Sequence, residues 1–200
     1  MDDYPRPIYE DIFFRIGIME ELINVITLAA IDFGWDESDL LEVDLLEVEE
    51  LKEMIDPDDP EGWLQDRIHE TESRLAELVI SLLEEDFSRL ELIESAAYSL
   101  GEHYRAEGRE DCQTAWERIS HCLLDDMPDK NVTCLLTCLP DHVEWKYEDD
   151  VHGVFWEEAG GEGAYFYMLR EKMIRGMLSE SGVKLQREER LHYHLLPERE

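Results

Sequence analysis

The stretch YEDIFFRIGIMEELINVITLAAIDF, residues 9–33, decides the fold. Between Arg15 and Asp32 it carries only two charges, Glu20 and Glu21, while Ile12, Phe13, Phe14, Ile16, Ile18, Met19, Leu22, Ile23, Val25, Ile26, Leu28, Ala29, Ala30 and Ile31 point in nearly every helical direction. A helix that is apolar all round is a buried one. Its uncharged run, Leu22 to Ile31, is about half of the ~20 residues a bilayer core requires, which argues against a membrane span. The segment is expected to be the buried hub of a helical domain, with Glu20 and Glu21 emerging where no neighbour covers it.

Working outward, Pro5 and Pro7 precede the hub, a boundary that proline tolerates. Past Gly34 and Trp35, Asp36 or Ser38 can cap a second helix running to Ile55, with Leu41, Leu45, Val48, Leu51 and Ile55 on one stripe and carboxylates opposite. Asp59 as N-cap and Pro60 at the first helical position start a third, to about Glu85, that buries Leu64, Ile68, Leu75, Leu78, Val79, Leu82 and Leu83. Ser88 with Glu91 forms a capping box for a fourth helix ending at Gly108. A fifth runs from about Arg109 to Asp126, where Pro128 stops it.

From Asn131 the periodicity changes. Asn131 to Leu139, Val143 to Tyr147 and Val151 to Glu157 read as strands. A turn with Gly160, Gly161 and Gly163 leads into a helix from Ala164 to Glu180, and Val183 to Leu196 reads as a strand pair or one long bent strand. The expected fold is α+β and predominantly α: residues 1–130 form an acidic bundle of about five helices around the hub, and residues 131–200 a mixed lobe of short strands and one helix. The soft boundary near Lys130 separates two units or runs within one continuous domain.

Composition bounds the function. Two hundred residues with 44% hydrophobic and 10% aromatic content are enough to enclose a core. The 51 acidic residues against 18 basic ones give a formal net charge of −33. Such a surface repels nucleic acid and anionic lipid and attracts basic proteins or cations. The acidity is uneven: residues 36–62 hold thirteen Asp or Glu and one Lys, whereas residues 170–200 hold seven of the basic residues. Solubility alone, or adaptation to high salt, are the bland alternatives. MDDYPRPIYED has no secretory pattern, so a cytoplasmic protein with Cys112, Cys122, Cys134 and Cys138 reduced is expected.

Sites of chemistry are sparse. His121, Cys122, Cys134 and Cys138, with His103, have zinc-ligand chemistry. However, Cys134 and Cys138 would lie on one face of a strand, about 13 Å apart. Buried thiols are the expectation, with no metal and no cofactor. His192 and His194 share a strand face without a carboxylate or cysteine at fixed spacing, and read as exposed edge histidines. Asp36 to Glu47 lacks the central glycine of a calcium loop. The glycines at 160–163 lack a following Lys-Ser/Thr and lie among Glu157, Glu158 and Glu162, which would repel phosphate. Leu100-Gly-Glu-His-Tyr104 followed by Gly108 resembles the first helix of a tetratricopeptide repeat, with a small residue admitting a close helix. Gln113 replaces that family's alanine and no second copy follows, so Ala97 to Pro128 reads as an ordinary helical hairpin.

These residues point to a non-enzymatic acidic protein that blocks a basic, nucleic-acid-binding partner protein: an inhibitor, an antitoxin or immunity protein, or an anti-defence DNA mimic. Direct contact with nucleic acid or membrane is not expected. The partner-binding candidates are Asp36, Glu37, Asp39, Glu42, Asp44, Glu49, Glu50, Glu53, Asp58, Asp59 and Glu61, and no catalytic residue is assigned. An enzyme or ligand-binding alternative would use His142, His152, His192 and His194 with Trp145, Trp156, Tyr165 and Tyr167 in one cleft. A scaffold or assembly subunit would instead show a large exposed apolar patch.

Overall fold

A computed structural model describes residues 7–35, 56, 58–125 and 131–198. The fold is α+β and predominantly α, with six helices and a four-stranded antiparallel sheet among the described residues. The hub is α1, Pro7–Asp32. It packs against α2 (Pro60–Glu85), α3 (Leu90–His103) and α4 (Cys112–Cys122). Ile16, Ile23, Ile26 and Ala30 are buried there, whereas Phe14, Leu28 and Ile31 remain exposed. The covering is therefore less complete than the all-round apolar pattern implies.

Glu20 and Glu21 correct the expectation in the opposite sense. Glu20 is fully buried: it accepts from the Thr71 hydroxyl at 2.6 Å and pairs with Arg74 at 3.0 Å. Glu21 is half-buried and accepts from the Tyr104 hydroxyl at 2.6 Å. A carboxylate enters a core when its cation and its hydrogen-bond donors enter with it. Arg74 and Thr71 lie on α2, so the partners are invisible in the hub's own pattern.

Side-chain caps set the starts of α2, of α4 and of the short turn ahead of α3. Asp59 accepts from the Gly62 amide at 3.0 Å, with Pro60 opening α2 as expected. Ahead of α3 the cap is Asp86 and not Ser88: its carboxylate accepts from the Ser88 amide at 2.9 Å, which holds its pKa below the usual value and closes a 3-10 turn over Phe87–Arg89. The helix then ends at His103, short of Gly108. Asp111 caps α4 through the Thr114 amide at 2.8 Å, later than Arg109.

The second helix expected between residues 36 and 55, and the boundary near Lys130, lie outside the described residues. On either side of that boundary the buried side chains form one continuous cluster, from Ile12 to Leu195. Two hairpins supply the sheet: β1 (Thr133–Leu139) with β2 (His142–Tyr147), and β3 (Val183–Glu189) with β4 (His192–Pro197). Their order is β1-β2-β4-β3, so β2 and β4 are central. Val143, Trp145, Tyr147, Val183, Leu185, Tyr193 and Leu195 form the buried face. That face meets α4, where Trp116 lies 4.6 Å from Trp145 by ring centroids.

Val151 to Glu157 is not a strand. Residues Gly153–Glu158 form α5, and Ala164–Met177 form α6. Asp150 explains the change: its carboxylate accepts from the Gly153 amide at 2.7 Å and the Tyr167 hydroxyl at 2.8 Å, turning the chain where alternation predicted extension. The adjacent Phe155 and Trp156 are then both buried, while Val154 is exposed.

Candidate functional site

The acidic candidates divide by where they fall. Asp36, Glu37, Asp39, Glu42, Asp44, Glu49, Glu50 and Glu53 lie outside the described residues. Asp58, Asp59 and Glu61 are exposed at the start of α2, although the Asp59 carboxylate is held by its capping bond. The same helix continues the acidity beyond them. Asp66, Glu70, Glu77 and Glu84 are exposed and follow one another at spacings of four and seven, which aligns them in a ridge about 27 Å long at 1.5 Å per residue. Glu70 pairs with Arg67. Asp66, Glu77 and Glu84 have no ion-pair partner among the described residues.

The described cations are largely directed elsewhere. Arg74 meets Glu20, Arg170 meets Asp125, Arg118 meets Glu110, Lys172 meets Glu94, Arg187 meets Glu171 and Arg190 meets Asp150. Glu20, Asp125, Glu110, Glu94 and Glu171 are buried or half-buried, whereas Asp150 is exposed. The outward carboxylates are left to set the field at the surface, which favours the approach of a positive partner.

A second constellation lies on the open face of the sheet. Side chains alternate along β2 and β4, so His142, Glu144, His192 and His194 face away from the Trp145 core. Register places Glu144 directly opposite His194, where facing Cβ atoms come within about 5.5 Å. His142 Nε2 lies 3.1 Å from His194 Nδ1, and His192 Nε2 lies 2.9 Å from Glu144 Oε1. A bulge between Arg187 and Glu189 adds Glu188 to the group, because a bulge re-aims the side chain it carries. Glu188 accepts from His194 Nε2 at 3.1 Å. His192 and His194 are therefore not edge histidines: β4 is flanked on both sides, and both rings are half-buried.

The sequence pattern missed Glu144 and Glu188. The available signal was the pair of alternating dyads, His142-x-Glu144 and His192-x-His194, but only strand order shows that they are neighbours. The remaining members of the proposed cleft do not join them. Trp145 is on the opposite face, stacked 5.3 Å from Tyr193. His152 is buried in the interior, 2.7 Å from Glu72 Oε1 and stacked on Phe166. Trp156 on α5 and Tyr165 on α6 are neighbours at 6.3 Å, and neither stands on the sheet.

The interior holds another polar group without room for a substrate. Asp125 accepts from the Tyr147 hydroxyl at 2.9 Å and pairs with Arg170 at 2.6 Å, and Arg170 also bonds Tyr147. The adjoining cavity, lined by Asp125, Arg170 and apolar side chains including Leu22 and Phe166, measures about 20 Å³. That accommodates one water and nothing larger.

The cysteines have no shared centre. All four are free, and none joins a cluster of metal-ligand atoms among the described residues. Burial pushes the Cys112 and Cys122 thiols up to about 11, keeping them protonated and inert. Cys134 and Cys138 do not share a face as the spacing suggested. A register shift between Leu135 and Thr137 sets Cys134 opposite Lys146 and Cys138 opposite the buried Val143. One inserted residue reverses the alternation. No described helix is long and apolar enough to cross a membrane. No protein-family model matches the chain, and neither a curated protein nor a solved structure matches it.

Proposed function

We propose that the protein is a non-enzymatic acidic binding protein of the cytoplasm that occupies the basic surface of a nucleic-acid-binding protein, as an inhibitor, an antidote to a nuclease-type toxin or a DNA mimic. One observation carries this reading. Among the described residues, Arg74, Arg118, Arg170, Lys172 and Arg187 pair with buried or half-buried carboxylates, while Asp66, Glu77 and Glu84 stand exposed on α2 without an ion-pair partner. That helix is entered through Asp58, Asp59 and Glu61, directly after the acidic block of residues 36–56.

Carboxylates one to two helical turns apart can meet the Arg and Lys side chains that otherwise meet phosphates. Desolvation is small for such exposed groups, so the gain is chiefly fast, salt-sensitive association with one sign of partner. The test is capture from lysate on the immobilised chain across a salt series, followed by competition with duplex DNA. The expected product is a basic nucleic-acid-binding protein that elutes as salt rises and that DNA displaces. Capture that is indifferent to both salt and DNA would refute the proposal.

A further inference from the structure

The open face of the sheet brings imidazoles and carboxylates together. We infer that His142 Nε2, His194 Nδ1 and a Glu144 carboxylate oxygen form a binding site for a divalent transition metal, with zinc the best fit. The three ligand atoms lie within 4.8 Å of one another. The two nitrogens are 3.1 Å apart, close to the roughly 3.3 Å edge of a tetrahedron with Zn–N bonds of about 2.0–2.1 Å. The Glu144 oxygen lies within 4.8 Å of both nitrogens, and rotation of its side chain toward them would complete the geometry.

The surrounding hydrogen bonds support metal ligation at these atoms. A carboxylate only accepts, so the 3.1 Å contact to Glu188 requires His194 Nε2 to carry the proton. In the neutral ring this leaves a lone pair on Nδ1, aimed at His142. A carboxylate that holds the far nitrogen of a ligating imidazole is the recurrent outer partner of metal sites, because it fixes the tautomer and raises ligand basicity. His192 does the corresponding work for the third ligand, donating from Nε2 to Glu144 Oε1 at 2.9 Å. The ligands stand on two adjacent central strands, so their backbone spacing is set by the ladder. Two imidazoles with one carboxylate select zinc-like ions over magnesium or calcium, which prefer all-oxygen sets. Three protein ligands on a solvent-facing sheet leave the fourth position to water, and the net charge of −33 raises the local concentration of any cation.

The full chain, stripped with chelator and held in excess magnesium to occupy indifferent carboxylates, is titrated with zinc by calorimetry and with cobalt by visible absorption. One equivalent should bind, with cobalt showing the intense d–d bands of a tetrahedral site. His142→Ala and His194→Ala should each weaken binding at least tenfold, Glu188→Gln about tenfold, and His103→Ala or His121→Ala not at all. In the unmutated protein, zinc should shift the ring-nitrogen resonances of His142 Nε2 and His194 Nδ1, a readout independent of whether any variant folds. The proposal is overturned if those resonances do not move, if no saturable equivalent survives magnesium, or if binding persists in the double histidine variant or disappears on blocking the thiols.

Discussion

Glu72 and His152 meet at 2.7 Å with both side chains buried, and single groups of this kind set the pH response of the fold. Burial opposes the charged imidazolium, but the charge and hydrogen bond of Glu72, assisted by Asp125 and Asp150, outweigh it and raise the His152 pKa. A folded pKa above the unfolded value of about 6.5 stabilises the protein fully below that value, and the contribution is lost as pH rises through the folded pKa. Removing one partner strands the other: His152→Ala leaves a buried carboxylate and should cost about 3–5 kcal/mol. Thermal melts of wild type and His152→Gln across pH should show the largest difference in acid and a shrinking one as pH rises through that raised pKa. A difference that does not vary with pH would contradict the pairing. None of this was legible in the sequence, where His152 looked like a member of a surface cleft. Glu72 is eighty positions away, and only the folded chain brings the two together.

At the scale of elements, the crossing of α3 and α6 turns on two glycines. A Cβ on Gly101 would meet the Met173 carbonyl oxygen at 2.0 Å, and one on Gly176 would meet the Tyr98 carbonyl oxygen at 2.1 Å. Both obstacles are backbone, so neither can swing aside. Gly101→Ala and Gly176→Ala should each destabilise by about 1–3 kcal/mol through overpacking, read as a lower midpoint in urea at unchanged slope. Stability equal to wild type would show that the helices do not cross here. The sequence disclosed the small residue at 101 but not its partner: the glycine admits α6 and not α4, the helix that follows it. Local signals served where the cause was local. Asp59 with Pro60 marked the start of α2. They failed where a side chain intervened from a distance, as when Asp150 turned the expected strand at 151–157 into α5, or where a bulge reversed the alternation, as at Cys134 and Cys138.

For the whole molecule, the sequence disclosed the fold class and the hub because both rest on apolar periodicity summed over many residues. It also disclosed the net charge, but not how that charge is partitioned. Pairing of Arg74 with Glu20 and of Arg170 with Asp125 consumes cations inside, and the ridge of α2 remains outside. The histidine and glutamate group of the sheet was hidden for a related reason, since its members come from three strands whose order no local pattern reveals. The central claim is that the exposed carboxylates bind a basic partner. It is tested most directly by the dissociation constant of the DNA-displaceable partner, measured across salt for wild type and for Asp66→Asn, Glu77→Gln, Glu84→Gln combined. These side chains are exposed, so the variant should fold as wild type does. The account predicts weaker binding, slower association and a shallower dependence on salt in the variant, because fewer charges remain to be screened. Wild-type affinity and wild-type salt dependence in the folded variant would contradict it.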